Sequence, residues 1–64
     1  MVKINGEYLD IAGKTVAEYV HDAGYDTQRI AVERNGKILP RAQFSETVLT
    51  ENDSVEVVSF VGGG

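Results

Sequence analysis

The 64-residue chain has no cysteine, no tryptophan, a single proline and a single histidine. Without cysteine, neither a disulfide framework nor a thiolate metal site can hold so small a domain together, and the hydrophobic core has to do it. One histidine and no thiol leave only carboxylates for a metal, and no loop follows the calcium-binding pattern. Positive charge is scarce: six Lys and Arg stand against ten Asp and Glu, for a net charge of -4. That balance disfavours nucleic acid and anionic membrane, both of which attract basic surfaces, and suits a basic protein partner. No apolar run approaches the roughly 20 residues that span a bilayer. Met1 opens directly onto a strand-like pattern, with no basic segment followed by an apolar one. The expectation is a soluble, cytoplasmic protein.

What is present is an ordinary globular mixture, 42% hydrophobic and 25% charged. The length allows one domain, near the lower limit at which a single core sustains a fold. Val2, Ile4, Leu9 and Ile11 flank Asn5-Gly6, a pair suited to a two-residue turn with positive φ at both positions. In the resulting hairpin Val2 opposes Leu9 on the core face and Lys3 opposes Tyr8 on the other. From Thr15 the period changes to that of a helix, with Val16, Tyr19, Val20 and Ala23 forming one stripe. Thr15 and Glu18 make a capping box, Gly24 supplies the left-handed residue after the helix, and Tyr25 is placed to close over Val20. The spacing therefore predicts a helix from Thr15 to Ala23.

A second hairpin turns at Asn35-Gly36, with Ile30 and Val32 inward, Ala31 and Glu33 outward, and Leu39 opposite Val32. Pro40 stops that strand, Phe44 and Leu49 plug the core from an irregular segment, and Glu51 to Asp53 is a turn. The last strand runs from Ser54 to about Ser59, alternating Val55 and Val57 against Glu56 and Val58. The expected core is Val2, Ile4, Leu9, Val16, Tyr19, Val20, Val32, Leu39, Leu49, Val55 and Val57. Hairpin, helix, hairpin and final strand pack most simply as one helix across one mixed sheet, an α+β arrangement. In a β-grasp the first and last strands lie side by side at its centre.

Most polar candidates read as surface. His21 falls on the wet side of the helix, where a triad has no sheltered nucleophile to activate, and Glu46, Glu51 and Asp53 read as solvated turn residues. Neither Asn-Gly pair opens a helix, so neither is a phosphate loop. No enzyme active site emerges. The tail is different: the last strand passes through Phe60 and Val61 into Gly62-Gly63-Gly64 with no polar spacer. A carboxylate reached through residues lacking side chains can thread a narrow channel into another protein's active site, with its carbonyl open to attack. On the outer side of the same strand Val58 and Phe60 adjoin Ala31 and Ile38, an apolar group suited to docking. The glycines themselves, which can bury nothing to offset ordering entropy, read as a flexible tail, 62–64, after a domain of residues 1–61.

The stretch Val32-Glu33-Arg34-Asn35-Gly36-Lys37-Ile38-Leu39-Pro40-Arg41 and the ending Val57-Val58-Ser59-Phe60-Val61-Gly62-Gly63-Gly64 resemble the ThiS family, the sulfur carriers of thiamin thiazole synthesis. The resemblance spans essentially the whole chain. Phe44 stands where the family often has tryptophan or tyrosine. What it implies is a ubiquitin-like β-grasp fold and a carrier rather than an enzyme. A ThiF-like adenylating enzyme would consume ATP to activate Gly64, a donor such as a cysteine desulfurase would supply sulfur, and a ThiG-like thiazole synthase would receive it from a Gly64 thiocarboxylate. The carrier itself would bind no cofactor or metal. The small subunit of molybdopterin synthase, which also ends in Gly-Gly on this fold, and a non-catalytic β-grasp binding module are the alternatives.

Overall fold

A computed structural model describes residues 1–60 of the chain. Strands β1 (Val2–Ile4) and β2 (Glu7–Leu9) precede helix α1 (Val16–Asp22), a short 3-10 turn (Thr27–Arg29) leads into β3 (Ile30–Arg34) and β4 (Lys37–Leu39), and a second 3-10 turn (Arg41–Gln43) begins the long connection to β5 (Ser54–Ser59). The five strands form one sheet in the order β2-β1-β5-β3-β4. The first and last strands run parallel at its middle, and the other neighbours are antiparallel.

Both hairpins follow from their turns. Asn5 and Gly6 have φ of 50° and 86°, Asn35 and Gly36 of 53° and 83°, the left-handed pairs that match the twist of a two-residue hairpin. They set the expected registers, Val2 opposite Leu9 and Val32 opposite Leu39. The helix is capped at both ends as the spacing predicts. Its first free amides are all accounted for: Val16 donates to the Thr47 carbonyl at 2.9 Å, Ala17 to that of Phe44 at 3.0 Å, and Glu18 to the Thr15 hydroxyl at 3.1 Å. At the other end Tyr25 N–H donates to Val20 and Gly24 N–H to His21, closing the helix around the positive φ of Gly24. Thr15 and Ala23 are thus caps rather than helical residues.

The core lies between α1 and one face of the sheet, with Val2, Ile4, Val16, Val20, Ile30, Val32, Phe44, Leu49, Val55 and Val57 buried. The connection between β4 and β5 belongs to it. Phe44 and Leu49 fill the gap under the helix, and Leu49 exchanges backbone hydrogen bonds with Gly13 and Lys14.

Three expected core residues are only half-buried. Leu9 and Leu39 sit on β2 and β4, the two edges, where no further strand covers them. Tyr19 lies at the margin of the helix face, its ring 6.5 Å from that of Tyr25. Ala23, the last member of the helical stripe, is exposed because the chain has already left the sheet at the cap.

Candidate functional site: the outgoing strand and its apolar face

Strand β5 carries the chain toward its glycine tail, and alternation sorts its side chains. Val55 and Val57 enter the core, while Val58 and Phe60 each remain 55% exposed on the opposite face. Val58 pairs with Ala31 of β3, which is half-buried. Ile38, 68% exposed, opposes Glu33 and so emerges on the same face one step further along. Ala31, Ile38 and Phe60 border one shallow concavity, which Pro40 and Arg41 complete at the sheet edge. Arg41 is held there by donating from Nε to the Thr27 carbonyl at 2.6 Å and from Nη2 to that of Ile30 at 3.3 Å. The four residues singled out in the sequence for docking are therefore neighbours in space. Phe60 N–H donates to the Arg29 carbonyl at 2.7 Å, so the backbone is still in register as it leaves the sheet. Gly62, Gly63 and Gly64, and the boundary placed after residue 61, lie outside the described residues.

Replacing Phe60 by Asp should leave the denaturation midpoint within about 0.5 kcal/mol of the parent, because the ring is on the surface. The same change should weaken a protein partner's binding by at least about tenfold, because it puts an unpaired charge into a desolvated contact. Unchanged complex formation in a titration of the folded variant would return this face to ordinary surface.

The polar residues behind β5 differ from the sequence reading. Glu46 and Glu51 are exposed as expected, but Asp53 is only 6% exposed. Its carboxylate accepts from Arg34 Nε at 3.1 Å and Nη2 at 3.0 Å, from Asn35 Nδ2 at 3.1 Å and from Thr50 N–H at 2.9 Å. Burial pushes its pKa up, and the Thr50 amide, the Asn35 carboxamide and the Arg34 guanidinium together outweigh that and hold it below the ordinary carboxylate value. The carboxylate locks the start of β5 to the β3–β4 turn.

The two turn asparagines also do more than adopt positive φ. Asn35 Oδ1 accepts from Ser54 N–H at 2.9 Å, and Asn5 Oδ1 accepts from Val57 N–H at 2.7 Å while its Nδ2 donates to the Val57 carbonyl at 3.3 Å. No local pattern announces these contacts, since Asn-Gly is already explained by the turn it makes. His21 is 89% exposed on the polar face of α1, with Asp22 at 3.7 Å. Among the described residues, no group of three His, Cys, Asp or Glu could hold a metal ion.

The family model described as the ThiS family matches residues 2–64. The chain belongs to the ThiS family. It is similar to the sulfur carrier protein ThiS of Bacillus subtilis (strain 168), 34% identical over 68 residues covering all of both chains. It is also similar to the ThiS of Thermus thermophilus, 33% identical over 64 residues, again along the whole of each. A crystal structure of the thiamine biosynthesis protein ThiS from Geobacter metallireducens superposes with a TM-score of 0.77 at 31% identity, covering 98% of this chain and 97% of that one. The mixed five-stranded sheet with one helix is accordingly the ubiquitin-like β-grasp of ThiS. A further relative is a thiazole synthase of Paramagnetospirillum magneticum, 37% identical over 62 residues. The chain spans about a fifth of the length of the thiazole synthases it matches, 19% of that one and 20% of one from Magnetococcus marinus.

Proposed function

We propose that this protein is the sulfur carrier for thiazole formation in thiamin biosynthesis, and that the carboxylate of Gly64 is the group that carries the sulfur. The observation that supports it most directly is the match, end to end on both sides, to the sulfur carriers of two organisms. Gly64 stands at the matched end of each alignment, beyond a strand whose outer face turns apolar at its outgoing end, at Val58 and then Phe60.

The chemistry follows from what a carboxylate lacks. It is a poor electrophile, since attack on its carbonyl would have to expel an oxide. A carboxylate oxygen of Gly64 therefore attacks the α-phosphorus of ATP in a ThiF-like enzyme, pyrophosphate leaves, and the acyl adenylate now carries a good leaving group. The terminal sulfur of a persulfide, charged by a donor such as a cysteine desulfurase, attacks that carbonyl and AMP departs. Cleavage of the resulting S–S bond by a thiol, which supplies the two electrons, leaves the Gly64 thiocarboxylate for a ThiG-like thiazole synthase. The carrier is consumed in sulfur and regenerated as a carboxylate, a co-substrate whose partners hold the ATP and the donor; such partners belong to the cytoplasm. Thiazole synthases that contain a region like this chain support that partner, because covalent linkage raises the effective concentration of a carrier at its acceptor.

The test is the intact mass of the protein after incubation with a ThiF-like adenylating enzyme, ATP, a cysteine desulfurase and cysteine. One terminal oxygen should be replaced by sulfur in an ATP-dependent manner, and an unchanged mass beside a loaded Bacillus subtilis ThiS control would overturn the reading.

A further inference from the structure

Strand β1 ends before β5 does. Their paired register stops at Ile4 opposite Val55, with Asn5 N–H donating to the Val55 carbonyl at 2.9 Å, and the chain then turns away at Gly6. The next rung on that flank would be left open at Val57. It is filled by a side chain: the Asn5 carboxamide accepts from the N–H and donates to the C=O of the same residue, as the peptide groups of a neighbouring strand would. Beyond Val57 the described ladder continues on the β3 flank, through Ala31 opposite Val58 and Ile30 opposite Ser59. Asn5 is thus the grip on the β1 flank nearest the docking residues Val58 and Phe60.

We infer that Asn5 is a positioning residue for the carrier's outgoing strand, its side chain standing in for a missing stretch of β1 so that Val58 and Phe60 meet a partner already oriented. This rests on the sulfur-carrier reading. Asn35 supplies a comparison within the same molecule. It too has positive φ and bonds β5 through its side chain, but at Ser54, where the strand begins. Glycine keeps the positive φ that either turn needs, so Asn5→Gly removes both contacts to Val57, and Asn35→Gly removes the contact to Ser54 together with a hydrogen bond to Asp53, without breaking a hairpin. Only the first loosens the end that docks.

The experiment measures activation of each variant by a ThiF-like adenylating enzyme through ATP–pyrophosphate exchange, alongside amide hydrogen exchange of the free proteins. Asn5→Gly should speed exchange at Val57 N–H. It should raise KM for the carrier by about tenfold, the cost of ordering one or two loosened interface residues, with kcat within about twofold. Asn35→Gly should leave KM unchanged. Asn5→Asp tolerates the turn and keeps the acceptor but sets a carboxylate oxygen against the Val57 carbonyl, so its KM should rise about as far as that of Asn5→Gly, and it decides the matter if Asn5→Gly does not fold. An unchanged KM in the Asn5 variants despite faster exchange at Val57, or an equal rise in Asn35→Gly, would overturn the inference while the carrier reading stands. Failure of the parent protein to be activated would overturn both.

Discussion

Deleting Gly64 should abolish sulfur loading and leave the denaturation midpoint unchanged. On the proposed reading the two readouts separate, because Gly64 would supply reach and chemistry, while among the described residues the buried core ends at Val57. Each extended residue spans about 3.3 to 3.6 Å, so the truncated carboxylate falls short of the α-phosphorus by roughly that distance. A misplacement of about 1 Å can already cost 100-fold in rate when a reaction depends on near-attack geometry. Adding an alanine after Gly64 should be equally damaging for a different reason: the carboxylate moves to a residue with a side chain, which the partner's channel then has to admit. Adenylate formation should be lost in both variants while their circular dichroism and unfolding midpoints match the parent. Full loading of either would show that Gly64 is not the acceptor.

The second large effect is expected in stability. Asp53→Ala should cost about 2 kcal/mol, because it takes from Arg34 Nε and Nη2, the Asn35 carboxamide and the Thr50 amide their shared, buried acceptor, a loss that water reaching these partly exposed donors offsets only in part. A chain of this size has only about 3 to 10 kcal/mol in total, so the variant should sit closer to its unfolding transition. Glu51→Ala, next door but exposed, should stay within about 0.5 kcal/mol of the parent. The pH dependence has a definite sign. The folded pKa of Asp53 lies below its unfolded value, so its contribution is fully present above the unfolded value, about 3.9, and is lost as pH falls through the folded one. Urea titrations between neutral pH and pH 2 should therefore show a steeper acid loss in the parent than in Asp53→Ala. Parallel acid limbs would place the acid sensitivity in other carboxylates.

The features legible in the sequence are those written within a few residues of one another. Asn5-Gly6 and Asn35-Gly36 specify their turns, Thr15, Glu18 and Gly24 specify both helix ends, and alternation in β5 separates Val55 and Val57 from Val58 and Phe60. The apolar face was visible for the same reason, since two outward positions in one strand are apolar where charge would be usual. What could not be read depends on approach in space. Asp53 looks like any turn aspartate until Arg34, nineteen positions earlier, folds over it, and Asn5 meets Val57 across 52 positions. Leu9 and Leu39 have inward-facing periodicity, but their exposure depends on which strands end up at the edges, a property of sheet order rather than of either hairpin.

The parallel pairing of β1 with β5 also decides how the molecule can be handled. Lys3 lies level with Ser54, and both strands advance in the same direction, so Phe60 is about 20 Å further along the sheet than the residues beside the amino terminus. A fluorophore, an affinity handle or a surface tether attached ahead of Val2 therefore occupies the rear of the molecule. An immobilised copy would still present Phe60 to the solution, on the side away from the support.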